Sequence, residues 1–542
     1  MRRALCRHRE EILSGMPRRK SLAGAAAIVM SSIVVSRITG FIREMLVPNA
    51  FGLKEAADAY ALSFKITGLM YDMLVGGAIA AALIPVLAGY IEKNDEKEGW
   101  KAVSTFINMV FLSMCAVCII GIIFAPIIVP AIAPGFGKET AALTVRLTRI
   151  LFPSVAFLML AGLCNGILNS YRRFAAAAYG PTIYNAGSIL SILLFSKYGI
   201  ECVAVGVMCS SIVYFIFQLS FTLKNLKFYR ARLFYKHAGF RRLIRLAVPS
   251  LASSSIVQIN VLVASAFASF FTAGSVAAFN IADRLWQLPY GIFAQGMGIA
   301  ILPSLSASLA LGEVKEYKKI LDKGLCTVLL LSIPSAFGFV VLREPVVRTV
   351  LKFTKRISES DVLLTGNILV FFSIALITHS IIAIMNRAFY AANDTKTPLF
   401  IGSGTILFNI ALSYTFYKTT ALDAGGMALA YSLASFANAF LLTVLLNRKM
   451  KGIGLRKFAV FLAKTFSAAL IMAVVLCGLK SAVGNGSASK IMQISYLLLE
   501  ISLGATVYFT IAVLLKIEEA LNMFAKLKGK INVYCKKILK NH

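Results

Sequence analysis

Long apolar segments alternate with short polar or Gly/Pro-containing breaks over almost the whole chain. A membrane-spanning helix needs about 20 predominantly apolar residues, and fourteen segments meet this length. They are 21–47, 58–90, 102–132, 141–169, 176–196, 200–223, 243–271, 276–310, 325–350, 362–390, 398–417, 425–446, 458–480 and 491–515. The pattern predicts an all-α polytopic membrane protein with 14 transmembrane helices.

The composition supports this interpretation. Of the 542 residues, 58% are hydrophobic, and the mean hydropathy is +0.78, whereas about 45–50% apolar residues is usual in soluble domains. Only 15% of the residues are charged, yet the formal net charge is +32. Such a basic excess either binds nucleic acid or holds membrane loops in the cytoplasm, and its distribution decides between the two.

Lysine and arginine are concentrated on one predicted side of the membrane. An even number of spans puts both termini on the same side, and the termini and loops of that side hold 38 of the 56 basic residues, against 11 in the opposite loops. Both termini are therefore expected to be cytoplasmic, and no nucleic-acid partner is expected. Five of the 11 outside charges fall in Arg343–Arg356, a candidate surface helix against outer-leaflet headgroups.

The N-terminal twenty residues form a basic extension. The apolar run that starts at Ser21 is interrupted by Arg37 and has no small-residue cleavage site, so no removable signal peptide is predicted. Met1 and Met16 are alternative translation starts.

Two stretches of the chain resemble each other at an offset of 218 residues. Residues 60–101 and 278–319 align so that Pro85 matches Pro303. A copy of six spans returns the chain to its starting side, so both copies have the same orientation and form a parallel repeat. We expect two six-helix lobes with a site at their interface, and two extra C-terminal helices.

The repeat also sets the predicted regions. They are a basic cytoplasmic N-terminal extension (1–20), an N-lobe of helices 1–6 (21–223), a basic cytoplasmic linker (224–242), a C-lobe of helices 7–12 (243–446), helices 13–14 (447–515) and a basic cytoplasmic tail (516–542).

Two arginines interrupt the first apolar segment. Arg37 and Arg43 flank Gly40, and a charge at bilayer depth costs roughly 2.5–3.5 kcal/mol on insertion scales, so such residues usually face a water-filled cavity or a partner. Six residues turn an ideal helix by about 240°, which makes Gly40 a candidate bend. The arginines either form an anion site, or Arg37 packs against a carbonyl and Arg43 pairs with Glu44.

The second repeat carries its own intramembrane charges. Asp283 and Arg284 are adjacent, so they cannot simply pair within one helix, and one of them should reach another helix. Lys65 in the second segment lies seven residues before Asp72, nearly on the same face. Asp58 is either a partner for a helix-one arginine or a helix N-cap. The alternative is that these charges lock helices together.

No enzyme chemistry is indicated. Cys115 and Cys118 form the only CxxC, in mid-span and without a second ligand pair, which is typical of small core residues. His379 is expected to be hydrogen-bonded packing. There is no nucleotide-binding glycine loop, GxSxG or HExxH pattern, so we expect no metal site and no cofactor.

Several motifs together resemble one family. SRITGFIRE (36–44), Asp58-Ala59-Tyr60, Ala282-Asp283-Arg284-Leu285, Leu302-Pro303-Ser304-Leu305, Ala133-Pro134-Gly135-Phe136 and Asp394-Thr395-Lys396-Thr397-Pro398 are similar to motifs of the MurJ/MviN lipid II flippases, within the multidrug/oligosaccharidyl-lipid/polysaccharide exporter superfamily. The resemblance runs from about residue 20 to 515. It implies a two-lobed transporter with a central cationic cavity and a lipid-tail groove on the last two helices.

The same resemblance assigns site residues. By position, Arg37, Arg43 and Arg284 match the arginines of the family's cavity, and Asp58 matches the acidic residue that opens helix two. Lys65 and Asp283 are supporting residues. Many members have a further arginine and a glutamate in helix two, where this chain has Tyr71-Asp72 and Gly76-Gly77.

The resemblance implies a monomeric flippase of the bacterial cytoplasmic membrane. It would move the undecaprenyl-diphosphate-linked precursor lipid II to the outer leaflet by alternating access, for peptidoglycan synthesis, coupled to the membrane potential or to a monovalent cation. The alternatives are a flippase for another polyprenyl-diphosphate glycan, a cation-coupled multidrug exporter of the same superfamily, and a scaffold of the cell-wall machinery.

Overall fold

The computed structural model describes residues 19–72, 79, 82–452, 454–482 and 489–525. Met16, Gly76-Gly77 and the end of the basic tail lie outside this part of the chain, as does the side chain of Asp72. The described residues fall into two compact units, with the boundary between Leu262 and Val263 inside one helix.

The first unit is a bundle of packed helices. Its helices are α1 (Arg19–Phe51), α2 (Glu55–Asp72), α3 (Ile84–Glu92), α4 (Glu96–Ile132), α5 (Lys138–Ser170), α6 (Phe174–Phe195), α7 (Ile200–Thr222) and the beginning of α8 (Ala238–Ala268). The most extensive packing joins α5 to α7, α1 to α6, α6 to α7 and α2 to α5.

The second unit begins within α8 and is also helical. Its helices are α9 (Ser275–Tyr290), α10 (Gly296–Ala310), α11 (Val314–Val341), α12 (Arg343–Leu351), α13 (Glu359–Ala391), α14 (Lys396–Thr419), α15 (Asp423–Lys449), α16 (Leu455–Ala482) and α17 (Lys490–Leu514). The π-helical segment Gly291–Gln295 joins α9 to α10 without a turn. Helix α13 is central, because α15, α9 and α11 all pack extensively on it.

The prediction of an all-helical membrane protein is confirmed at this level. Among the described residues, ten helices are long and apolar enough to cross a bilayer. One predicted boundary is wrong: the segment 325–350 is two helices, because α11 ends at Val341 and α12 begins at Arg343. The short helix α12 packs on α13 and α17, so the chain leaves the long helix after Val341.

Helix ends follow local sequence rules. At the start of α13, the Ser358 hydroxyl accepts from the Asp361 amide at 3.1 Å, and Asp361 Oδ2 accepts from the Ser358 amide at 2.8 Å, a reciprocal capping box. Before α14, Asp394 accepts from the Thr397 amide at 3.0 Å. Asp394 thus binds an amide of the first turn of α14.

Each unit has its own apolar core with polar side chains satisfied inside it. In the first unit, Ser63 is fully buried and its hydroxyl donates to the Thr144 carbonyl at 3.0 Å. In the second, the buried Tyr508 hydroxyl of α17 donates to the Leu330 carbonyl of α11 at 2.8 Å. Since an unpaired polar group in a membrane interior is costly, these bonds fix which helices are neighbours.

Candidate cationic sites

Arg43 of α1 lies inside the first unit with a complete set of partners. Its side chain is 9% exposed, Nη1 donates to Asn185 Oδ1 at 3.0 Å, and Nη2 lies 3.2 Å from Glu44 Oε1. The guanidinium carbon lies 4.2 Å from the centre of the Phe64 ring and 5.8 Å from that of Tyr184. A cation over an aromatic face is attracted by the ring quadrupole, so this arginine is held by an amide, a carboxylate and two rings.

The side chain of Asn185 on α6 makes two hydrogen bonds to α1. While its oxygen accepts from Arg43, its Nδ2 donates to the Ser36 carbonyl at 3.1 Å. A Cβ placed on Gly40 would lie 3.2 Å from that Nδ2, tighter than ordinary contact. Gly40 therefore permits the close approach of α6 and α1, and α1 is a continuous α-helix through this position.

Arg37 occupies a different environment on the same helix. It is exposed on the surface of the first unit, whereas Arg43 is buried. The two arginines thus do not share one local pocket, which agrees with their rotation of about 240° on a regular helix. The structure places Arg43 Nη2 3.2 Å from Glu44 Oε1, and this pairing was one of the two alternatives for Arg43.

Two further candidates lie on α2. Asp58 is 3% exposed and sits in the first turn of that helix, which begins at Glu55. Of the two alternatives for Asp58, the N-cap does not hold, since the helix starts three residues earlier; a helix-one arginine as its partner stays a prediction. A carboxylate in the first turn is still favoured by the helix dipole. Lys65 lies about two turns further along, nearly on the same face as Asp58, and is partly buried.

In the second unit, Asp283 is bound by its own helix. Its Oδ1 accepts from Trp286 Nε1 at 3.0 Å, and its Oδ2 accepts from Gln287 Nε2 at 2.8 Å. Both of these bonds stay within α9, whereas the sequence predicted that either Asp283 or Arg284 would contact another helix. Arg284, the next residue, is exposed on the unit's surface, so its environment resembles that of Arg37 and not that of Arg43.

A polar and aromatic cluster supports this part of α9. Trp286 is 2% exposed, and its ring centre lies 5.2 Å from that of His379 on α13. His379 stacks on Tyr431 with an interplanar angle of 11°, and its Nε2 lies 2.9 Å from the Ser435 hydroxyl. His379 is therefore hydrogen-bonded packing, as the sequence predicts.

The last two helices, α16 and α17, pack closely on each other and on other helices of the second unit. A Cβ on Gly504 of α17 would lie 3.0 Å from Leu476 of α16, so the glycine lets the helices approach. Their other faces carry exposed apolar side chains, among them Val474 at 65%, Leu498 at 58% and Leu499 at 60%.

A basic cluster lies where α12, α13, α16 and α17 meet. Lys490 Nζ donates to the Arg348 carbonyl at 2.8 Å and to the Lys352 carbonyl at 2.9 Å, and it lies 4.3 Å from the centre of the Phe353 ring. Arg348 Nη2 pairs with Glu359 at 2.6 Å. Lys490, at the start of α17, thus donates hydrogen bonds to carbonyl groups at the end of the short helix α12.

No group of three or more His, Cys, Asp or Glu side chains that could hold a metal ion occurs within the described ranges. Cys118 of the CxxC is buried, and its thiol donates to the Phe152 carbonyl at 3.3 Å. Its environment is that of a packed core residue.

The partners of Arg43 were missed by sequence reasoning. Asn185, Phe64 and Tyr184 lie on α6 and α2, far from Arg43 along the chain. The only signal was a single amide in the otherwise small and apolar middle of α6. Such an amide needs a partner in a membrane, but its partner's identity depends on how α6 meets α1.

The architecture matches that of known transporters. An inward-facing multidrug resistance transporter of the MATE family in the MOP superfamily has a TM-score of 0.69 at 14% identity, and the match covers 79% of this chain and 98% of that one. At that identity the likeness concerns the fold alone. The fold thus places the chain in the class of multi-pass helical membrane proteins.

The sequence narrows this class to one family. The family profile described as "Lipid II flippase MurJ" matches residues 47–497, so the chain belongs to the lipid II flippase MurJ family and is a multi-pass protein of a bacterial inner membrane. This confirms the resemblance deduced from its motifs.

The matches to individual relatives cover most of each relative's length. A structure described as "Lipid II flippase MurJ, inward closed conformation" has a TM-score of 0.76 at 26% identity, covering 90% of this chain and 98% of that one. A probable lipid II flippase MurJ of Buchnera aphidicola (subspecies Acyrthosiphon pisum) is 30% identical over 82% of this chain and 87% of its own. One from Rhizobium tropici is 29% identical over 89% and 92%.

Proposed function

We propose that this chain flips lipid II from the inner to the outer leaflet of the cytoplasmic membrane for peptidoglycan synthesis. The observation that carries the proposal is its membership of the lipid II flippase MurJ family over residues 47–497. Exposed arginines on helices of both units, Arg37 and Arg284, support it. A diphosphate is a compact anion, for which a guanidinium offers two parallel hydrogen-bond donors.

The proposed architecture has 14 transmembrane helices in two six-helix lobes related by a parallel repeat. The lobes would be residues 21–223 and 243–446, linked by the basic segment 224–242, with both termini cytoplasmic. The protein would act as a monomer and alternate between inward-open and outward-open states. The exposed apolar faces of α16 and α17 would hold the lipid tail while the headgroup crosses.

The arginines would have two different roles. Arg37 and Arg284 are proposed to contact the diphosphate, because their side chains are exposed on their units. Arg43 is proposed to contribute to the positive field and to hold α1 in place, because Asn185 and Glu44 already engage it. Asp58, Lys65 and Asp283 would tune the surrounding charge without catalysing a reaction.

The membrane potential is the proposed driving force, with a monovalent cation as the alternative. An inside-negative potential favours outward movement of an anion by about 2.3 kcal/mol for each charge per 100 mV. Export down this gradient requires no nucleotide.

Three alternatives make different predictions. A flippase for another polyprenyl-diphosphate glycan would use the same arginines on another cargo. A cation-coupled drug exporter would depend on intramembrane acids. A scaffold of the cell-wall machinery would use the charges for packing only.

The test is depletion of the protein in its own host, with a measurement of lipid II exposed on the outer leaflet. Wild type, Arg37→Ala and Arg284→Ala would be compared at matched membrane levels. Arg146→Ala is the control, since Arg146 is exposed and pairs with Glu201 at 2.7 Å. We expect depletion to lower exposed lipid II by more than tenfold, and only wild type and the control to restore it.

Two outcomes would contradict the proposal. If depletion leaves exposed lipid II unchanged in a strain without a second flippase, the cargo is another molecule. If both arginine variants restore it fully, the arginines do not bind the cargo and the scaffold alternative gains support.

A further inference from the structure

A cleft of about 550 Å³ lies between the start of α6 and the end of α7. This volume is within the range of about 300–1,000 Å³ that is usual for small-ligand sites. Its lining is Arg172, Arg173, Phe174, Ala175, Ala176, Tyr179, Phe217 and Phe221. The cleft lies wholly within the first unit, and none of the residues proposed to bind the cargo lines it.

One end of the cleft is strongly positive. Arg172 and Arg173 are both exposed, and Arg172 pairs with Glu92 at 3.1 Å between two exposed side chains, an arrangement that contributes little stability. Across the described residues, no carboxylate pairs with Arg173. One guanidinium is therefore available, and the second is held only at the surface.

The backbone adds to this positive end. Helix α6 starts at Phe174, and its N-cap residue, Arg173, makes no side-chain hydrogen bond to the first turn. The first amide groups of a helix lack internal partners and carry a partial positive charge. Phe174, Ala175 and Ala176 of this first turn are among the residues that line the cleft.

The rest of the lining is apolar and aromatic. Phe217 and Phe221 on α7 are in edge contact, with ring centres 5.0 Å apart. Tyr179 on α6 is 41% exposed and Phe221 is 43% exposed. The lining of the cleft thus combines two arginines with an apolar, aromatic surface suited to hydrocarbon.

The shape of the cleft is fixed by buried contacts beneath it. Pro181 leaves the Ala177 carbonyl without its usual helical donor, and Gln218 Nε2 of α7 lies 3.5 Å from that oxygen and 3.2 Å from the Ala176 oxygen. A Cβ on Gly180 would lie 2.1 Å from the same nitrogen. The glycine and the glutamine therefore lock α6 against α7 directly below the cleft.

We propose that this cleft binds one anionic phospholipid of the cytoplasmic leaflet. The phosphate would lie between Arg172, Arg173 and the first amides of α6, and an acyl chain would lie against Phe217 and Phe221. Basic pockets between transmembrane helices on the cytoplasmic side are suited to such headgroups, and the turn 170–173 is on the predicted cytoplasmic side. Charge complementarity selects this occupant over a zwitterionic lipid.

The test is binding of phosphatidylglycerol and phosphatidylcholine to the full-length protein in detergent, measured by native mass spectrometry. The first variant is Arg172→Asn with Arg173→Gln, since asparagine tolerates the left-handed φ of 58° at residue 172. The second is Ala175→Trp, which fills the cleft without changing charge. The control is Lys224→Gln with Lys227→Gln, which removes two exposed charges from the turn after α7.

We expect wild type and the control to bind phosphatidylglycerol at least fivefold more than phosphatidylcholine. Both cleft variants should lose this preference while keeping the wild-type melting temperature. Equal binding of the two lipids by wild type would overturn the proposal, as would undiminished phosphatidylglycerol binding by both cleft variants. Competition of the cleft-bound lipid by a polyprenyl diphosphate at equimolar amount would instead assign the cleft to the cargo. The binding assay needs no transport, so its result is independent of the flippase proposal.

Discussion

The Nη1 of Arg43 donates a hydrogen bond to Oδ1 of Asn185 over 3.0 Å, joining α1 to α6 in the interior of the first unit. Because both side chains are buried, neither can exchange the bond for water without a rearrangement of the helices. The pair therefore couples the position of α1 to that of α6.

Asn185→Leu should destabilise the first unit. A buried charged donor that loses its acceptor costs about 1–3 kcal/mol or more, and the Ser36 carbonyl also loses its contact from Nδ2. We expect a fall of this size in the free energy of unfolding, measured by SDS titration in mixed micelles.

A double-mutant cycle separates the bond from the loss of packing. Arg43→Met, Asn185→Leu and the double variant should show a coupling of 0.5 kcal/mol or more, as residues in one network do. Additive effects of the two changes would mean that the bond contributes nothing to stability.

Gly40→Val should separate α1 from α6. The closest Cβ position at Gly40 is already 3.2 Å from Asn185 Nδ2, and the two further methyl groups of valine need space that the asparagine occupies. We expect a lower melting temperature and faster amide hydrogen exchange in α1. Gly68→Val is the control, because its Cβ would have no neighbour within 4 Å; equal losses in both variants would point to helix propensity instead.

Lys449→Met should remove a pH-dependent part of the stability near α14. The hydrogen bond from Lys449, followed by that from the Thr397 amide, lowers the pKa of Asp394 from 3.8 to about 2. A depressed carboxyl pKa contributes stability that is present above about pH 4 and is lost as the pH falls from about 4 to about 2.

The measurement is the melting temperature in detergent from pH 7 to pH 2. Wild type should melt higher than Lys449→Met at pH 6–7, and the difference should shrink below pH 4. Lys396→Met, an exposed lysine at the start of α14, is the control for charge. A difference between wild type and Lys449→Met that stays constant down to pH 2 would show that Asp394 does not titrate with this pair.

Lys490→Met should release α12 from α17. The ammonium group bonds two carbonyls at the end of α12, those of Arg348 and Lys352, and methionine keeps the length of the side chain but not the donors. We expect faster hydrogen exchange in α12, with α11 unchanged. Lys355→Met removes a charge from the same loop at an exposed position, so equal acceleration by this variant would attribute the effect to net charge.

The sequence was sufficient for the all-helical membrane class and for the family, because apolar length and motif spacing are local properties. It was insufficient for the cage around Arg43. This cage forms only when α2 and α6 pack against α1 and bring Phe64, Tyr184 and Asn185 to the guanidinium. Contacts between residues so far apart along the chain leave no periodic pattern in a single sequence.

The boundary at Val341 was missed for a related reason. Val340, Val341 and Leu342 continue the apolar run, so hydropathy alone extends the span to residue 350. The break follows from α12 lying against α13 and α17, where Lys490 completes its last turn. Apolar length predicts that a helix exists and leaves its end to tertiary contacts.

The π-helical segment Gly291–Gln295 has a consequence for comparing this chain with its relatives. A π turn holds one residue more than an α turn, so the flanking helices α9 and α10 keep their packing faces if that residue is removed and the segment closes to an α-helix. A removal elsewhere in either helix would rotate one half by about 100° relative to the other. Differences in length between relatives along α9 and α10 should therefore accumulate within these five residues. An alignment gap placed there keeps Asp283, before the segment, and Pro303, after it, matched to their counterparts.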